Sequence, residues 1–178
     1  MSLNEGTYGL GPDNGRLLLR TSRSGLGRRA GHDLTIEATR WSGTATVAGT
    51  AGSSVEVTVE VDALEVREGT GGVLPLSESD RSEISKNLRK VLQADRHRAI
   101  TFRSTAVEGS AEEFAVEGGL TLLGRTEPLT VRASVADGRV RGGATVRQTR
   151  WGIKPYSAFF GALKLADEVE VAFDLALG

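Results

Sequence analysis

Residues 55–62 read VEVTVEVD, and this strict alternation constrains the fold more than any other feature of the chain. Val55, Val57, Val59 and Val61 fall on one face of an extended segment, and Glu56, Thr58, Glu60 and Asp62 fall on the other. A helix would scatter these two sets around its axis. An antiparallel strand with one buried face keeps them apart.

The same two-residue period recurs at residues 16–21, 33–41, 99–108, 113–124, 128–135, 139–149 and 168–177, with 44–49 a weaker instance. The segments are separated by short Gly, Asp or Pro punctuation, and Asp137-Gly138 is a strong hairpin signal because both residues tolerate positive φ. About eight strands joined this way predict an all-β sandwich or an antiparallel barrel.

One stretch breaks the pattern. In residues 77–97, Ile84, Leu88, Val91 and Leu92 recur at helical spacing, and Asp80 followed by Glu83 resembles a capping box. An amphipathic helix near residues 80–93 is expected, packed over a barrel end or one sheet face.

At 178 residues the chain is long enough for one domain, expected at 15–178 after a flexible segment at 1–14. The net charge of -1 gives no global field for nucleic acid or an anionic membrane. The absence of cysteine removes disulfides, thiolate metal sites and cysteine nucleophiles. No apolar run approaches a membrane span, and the polar, glycine-rich start carries no secretory pattern, so a cytoplasmic location is expected.

GLGRRAGHD, residues 25–33, matches the glycine spacing of a dinucleotide-binding turn. That turn needs a helix immediately after it to hold the pyrophosphate, whereas β-branched, alternating residues follow here. His32 and Asp33 are adjacent, so on a strand they point to opposite faces and do not converge on a nucleophile. With His32 and His97 the only histidines and no carboxylate pair singled out by spacing, no metal, cofactor or catalytic residue is expected.

Two features remain open. Arg16, Arg20, Arg23, Arg28 and Arg29 lie in a run free of acidic residues, which suits a solvated face or a local anion site. Trp151, Tyr156, Phe159 and Phe160 concentrate in one long connection, which closes a core or covers a ligand.

Residues 97–109, 114–135 and 146–177 resemble the YceI family in order and spacing. The resemblance rests on Phe102 to Ser104, on Gly118 through Pro128, on Arg150-Trp151-Gly152-Ile153 and on Leu165 through Val171. Ala99 stands where the family usually has proline, and Trp151 where it commonly has aspartate or asparagine. The resemblance spans roughly residues 15–177 and is closest to the leaderless, cytoplasmic branch.

It implies an extended, lipocalin-like antiparallel β-barrel that binds, stores or transports a polyisoprenoid, quinone-type or other long-chain lipid in its lumen, without covalent chemistry. On that expectation Val57, Val59, Phe102, Leu120, Leu122 and Val131 line the lumen. Trp151, Phe159 and Phe160 complete its apolar contacts, the two phenylalanines as a lid. Arg28, Arg29 and His32 meet the ligand head at a mouth. A homodimer is compatible with the family. The rival readings are a packed structural or partner-binding barrel and a small lipid-acting hydrolase or isomerase.

Overall fold

A computed structural model describes residues 3–24, 33–70, 77–155, 157–158 and 163–177. In chain order its strands are β1 (Gly6–Leu10), β2 (Gly15–Arg20), β3 (Arg23–Ser24), β4 (Asp33–Ala38), β5 (Trp41–Val47), β6 (Ser54–Glu60) and β7 (Leu64–Thr70). After them come β8 (Ala99–Gly109), β9 (Glu113–Leu122), β10 (Arg125–Ala136), β11 (Arg139–Arg147), β12 (Ser157–Ala158), β13 (Leu163–Leu165) and β14 (Glu168–Ala176). A one-turn helix α1 (Gly49–Gly52) joins β5 to β6, and α2 (Glu78–Val91) lies between β7 and β8.

Eleven strands form one antiparallel sheet in the order β1-β5-β6-β8-β9-β10-β11-β14-β2-β4-β7. The two ends of this order are joined by the chain itself. β1 runs into β2, β4 into β5 and β6 into β7, so each pair is one long strand bent at residues 11–14, 39–40 or 61–63. β4/β5 keeps the same neighbours through its bend, β1/β2 on one side and β6/β7 on the other, while β6 continues the sheet to β8 and β2 continues it to β14. Eleven segments therefore make eight staves of a closed barrel, which leaves few free edges.

The bends have their own backbone bonds. Thr39 N–H donates to the Ala63 carbonyl (2.8 Å), Glu60 N–H to Arg40 (3.1 Å) and Val61 N–H to Arg98 (2.9 Å). This is why residues 33–41, which alternate like a single strand, divide into β4 and the start of β5. Residues 64–70 form β7 opposite β4.

Within the segment 1–14, Gly6–Leu10 pairs with β5 and buries Leu10. One expectation needs correction, since the helix begins two residues earlier than expected, at Glu78: Ser77 is its N-cap, accepting from Asp80 N–H (3.1 Å) while the Asp80 carboxylate accepts from Ser77 N–H (3.0 Å). Ser77 and Asp80, rather than Asp80 and Glu83, make the capping box.

Alternation holds within the staves. In β4, Leu34, Ile36 and Ala38 are buried; in β9, Val116, Leu120 and Leu122 are buried. β8 contains a bulge between Ser104 and Ala106 that turns Ala106 outward and brings Val107 in. Ser104 Oγ accepts from Val55 N–H at 2.9 Å, which ties the bulge to β6.

Candidate functional site

The barrel interior contains a cavity of about 1200 Å³. At roughly 30 Å³ per water-sized group, it has room for about forty such groups, more than a typical small-molecule pocket offers. The inward residues show this directly. Leu17, Leu19, Val57, Phe102, Val131 and Phe173 are only half-buried although they line the cavity, because they face open space instead of neighbours. Among the described residues, no large side chain is exposed by less than 2 %.

The structure brings together the six residues expected at the lumen wall: Val57, Val59, Phe102, Leu120, Leu122 and Val131 all line the cavity. Val57, Phe102 and Leu120 stand in one row across β6, β8 and β9, because Val57 is opposite Phe102 and Phe102 is opposite Leu120. Val131 belongs to a second row, opposite Val116, which is itself opposite Val107.

Phe102 needs an empty neighbour. A Cβ on Gly118 would lie 2.5 Å from its ring and 2.5 Å from the Arg103 carbonyl oxygen. The glycine of the Gly118–Pro128 motif thus makes space for the aromatic of the Phe102–Ser104 motif.

Trp151 is 2 % exposed and is not a cavity-lining residue. It packs with Leu120, Leu122, Val146 and Ile153, and its indole N–H donates to the Leu120 carbonyl at 2.8 Å. Its role is to support the wall from the loop that follows β11. Phe159, Phe160, Arg28, Arg29 and His32 lie outside the described residues. Arg16, from the same basic run, points outward and pairs with Glu37, with Nε to Oε2 at 3.1 Å.

Further lining residues come from elements whose spacing was readable without assigning them to the wall. Leu17 and Leu19 of β2, Ile36 of β4, and Ile84 and Leu88 of α2 face the same space. The apolar stripe of α2 is half-buried throughout and covers the cavity flank left open beside β7.

Polar lining groups lie off the strand walls. Glu5, Thr50, Ser53 and Ser110 belong to the N-terminal approach and the hairpins at one end, Thr21 and Gln148 follow strand termini at the other, and Asp80, Glu83 and Asn87 belong to α2 over the flank. Thr21 Oγ1 accepts from Leu34 N–H (3.2 Å), and Gln148 Nε2–H donates to the Ala166 carbonyl (3.2 Å). Between the ends the wall is aliphatic and aromatic. Among the described residues, no group of His, Asp and Glu is arranged to hold a metal ion.

Geometry thus defines an eight-stave antiparallel barrel around an elongated apolar lumen. The YceI-like domain model matches residues 19–177, and the chain belongs to that family. In structure it is similar to BcnA of Burkholderia cenocepacia, at a TM-score of 0.67 and 16 % identity, covering 90 % of this chain and 94 % of that one. It is also similar to a Campylobacter jejuni YCEI protein, at a TM-score of 0.55 and 12 % identity, covering 79 % of this chain and 81 % of the other. A mutant of the Campylobacter protein carrying a monobromobimane guest gives a TM-score of 0.56, 12 % identity and the same coverages, 79 % and 81 %. No curated protein matches in sequence. No helix among the described residues is long and apolar enough to cross a membrane.

Proposed function

We propose that the protein sequesters the tail of a long-chain amphiphile, of the polyisoprenoid or quinone type, by reversible burial in the barrel lumen. The observation that carries this reading is the combination of a cavity of about 1200 Å³ with strand walls on which every lining residue is aliphatic, aromatic or glycine. A flexible apolar chain gains about 0.8 kcal/mol for each methylene taken from water, so a tail that fills the lumen is held without any specific polar contact. Water gains nothing comparable there, because the wall between the ends offers few hydrogen-bonding partners.

The distribution of polar groups favours binding over chemistry. An enzyme acting on such a lipid needs an acid, base or nucleophile at a buried reacting atom. The polar lining groups stand off the strand walls, on loops, strand termini and α2. In this reading the protein works in the cytoplasm as a store or carrier, without a cofactor, alone or as a homodimer.

Mass spectrometry of an organic extract of the purified protein tests the proposal. A prenyl or similar long chain in stoichiometric amount is expected from the native protein, and much less from Leu120→Trp, which fills the lumen. Extracts repeatedly free of such chains, together with no uptake of added geranylgeraniol, would favour a structural or partner-binding barrel.

A further inference from the structure

The barrel wall is forked at one place. β10 and β11 are hairpin neighbours, yet their ladder covers only Arg132 opposite Gly143 through Ala136 opposite Arg139. Beyond that point residues 125–131 pair with β9 alone, and residues 144–147 pair with β14 alone. Pro128 suits this arrangement, since a residue without an N–H is tolerated in a strand where one side has no ladder. Gly142 and Gly143 sit where the strands part, and their Cβ atoms would lie 2.0 Å from the Arg132 carbonyl oxygen and 2.2 Å from that of Val171.

The fork opens a crevice of about 530 Å³ on the outer wall. Leu129, Gly143 and Ala144 line both this crevice and the lumen, so the partition between them is one residue thick and made of small or flexible groups. The crevice rim carries Arg132 and Arg150, neither of which has an ion pair or side-chain hydrogen bond with another described residue. The acidic group at the rim, Glu170, accepts from Thr145 Oγ1–H at 2.9 and 3.1 Å. Among the lining residues two guanidiniums stand against one carboxylate, beside the thin partition of Leu129, Gly143 and Ala144, while Glu117, next to the crevice, is occupied by the Thr130 hydroxyl at 2.7 Å. A guanidinium binds phosphate oxygens in bidentate fashion, which gives orientation as well as attraction.

We propose that the fork is a lateral head-group site. It holds a phosphate-class head of an amphiphile against Arg132 and Arg150 on the outer wall, while the tail passes Leu129 and Ala144 into the lumen. This rests on the lumen-binding reading and departs from the sequence expectation that the head is met at the mouth by Arg28, Arg29 and His32.

The test compares geranylgeranyl monophosphate, geranylgeraniol and inorganic phosphate on the full chain by calorimetry. The wild type is expected to bind the phosphate ester about tenfold or more tighter than the alcohol, as hydrogen bonds to a charged group imply. Arg132→Ala with Arg150→Ala should erase that preference and leave the alcohol unchanged, and the double lysine variant should retain part of it. Equal affinities in the wild type, or loss of the preference in Arg28→Ala with Arg29→Ala instead, would overturn the lateral site while lumen binding stands. Inorganic phosphate binding as tightly as the ester would make this a free-anion site and overturn the head-group assignment. Failure of both the ester and the alcohol to bind would remove the lumen reading and this one with it.

Discussion

The indole N–H of Trp151 donates to the carbonyl of Leu120 at 2.8 Å, joining the loop after β11 to the middle of the lumen wall. Both partners are buried, so the bond has no water to replace it. The other tryptophan differs: Trp41, also buried, has an indole nitrogen without a hydrogen-bond partner among the described residues. Trp151→Phe should therefore destabilise the protein by about 1–3 kcal/mol, and Trp41→Phe by much less, because it removes an already unsatisfied donor. Urea unfolding of the two variants checks the contrast, and equal losses would remove the assigned role of the Leu120 carbonyl.

Gly118 and Phe102 share one space. A methyl group on Gly118 would press against both the Phe102 ring and the Arg103 carbonyl oxygen, and the second is backbone that cannot rotate away. Gly118→Ala should cost about 1–3 kcal/mol through overpacking. Gly118→Ala combined with Phe102→Leu should recover only the part due to the ring. A double-mutant cycle read by thermal unfolding separates the two contributions.

Much of this architecture was legible because one face of each strand meets solvent. Val55, Val57 and Val59 alternate with exposed Glu56, Thr58 and Glu60, and the structure keeps that division. The bends were not legible, since Thr39 and Arg40 look like any continuation of Asp33–Ala38. What separates β4 from β5 is an interruption of the ladder at residues 39–40, where the Thr39 N–H and hydroxyl both donate to the Ala63 carbonyl across the barrel, which local periodicity cannot encode. The alternation marked the inward faces and the family resemblance made a lumen wall of them, but the place of Trp151 was not readable: its aromatic side chain suits a lid or a support equally, and only the hydrogen bond to Leu120 distinguishes them. The fork between β10 and β11 left Pro128 and the Gly142-Gly143 pair as traces, each of which also fits an ordinary edge or bend.

A hollow interior responds to added volume in the opposite way from a packed one. Val131 is half-buried and lines the cavity, so Val131→Phe adds apolar surface to open space. It is expected to leave stability unchanged or raise it slightly, where a packed core would lose about 1–3 kcal/mol. The same variant should take up less lipid. Guanidinium unfolding alongside lipid uptake distinguishes the cases, and a large loss of stability would show that the position is already filled.

Glu37 lies between two guanidiniums on the outer wall, with Arg16 Nε at 3.1 Å and Arg67 Nε at 3.0 Å. The hydrogen bond from Arg16 holds its carboxyl below the ordinary carboxylate range; partial burial opposes this, and Arg67 adds to the lowering. A carboxyl whose folded pKa lies below its unfolded pKa contributes stability above the unfolded value, and that contribution is lost as pH falls through the folded one. Both arginines are largely exposed, so the contribution is about 1 kcal/mol or less. Glu37→Gln should lower stability at neutral pH and converge with the wild type once the carboxyl is protonated. Thermal midpoints measured from neutral pH into acid check the sign; a difference that persists in strong acid would assign the effect to packing.

The cover over the lumen flank should be the least stable part of the molecule. Ile84, Leu88 and Val91 of α2 and its C-cap Leu92 all face inward, yet none is fully buried, since the cavity lies beneath them. A helix whose apolar stripe meets empty space gains little from packing and opens at lower free energy than the barrel strands. Amide exchange is expected to be faster in Glu78–Val91 than in β9, and to slow when a chain fills the lumen and gives the stripe something to touch. Hydrogen-exchange mass spectrometry with and without geranylgeraniol measures both effects. Protection in α2 equal to that of β9 before ligand is added would mean that the helix is held by contacts other than the lumen, and that the ligand enters without disturbing it.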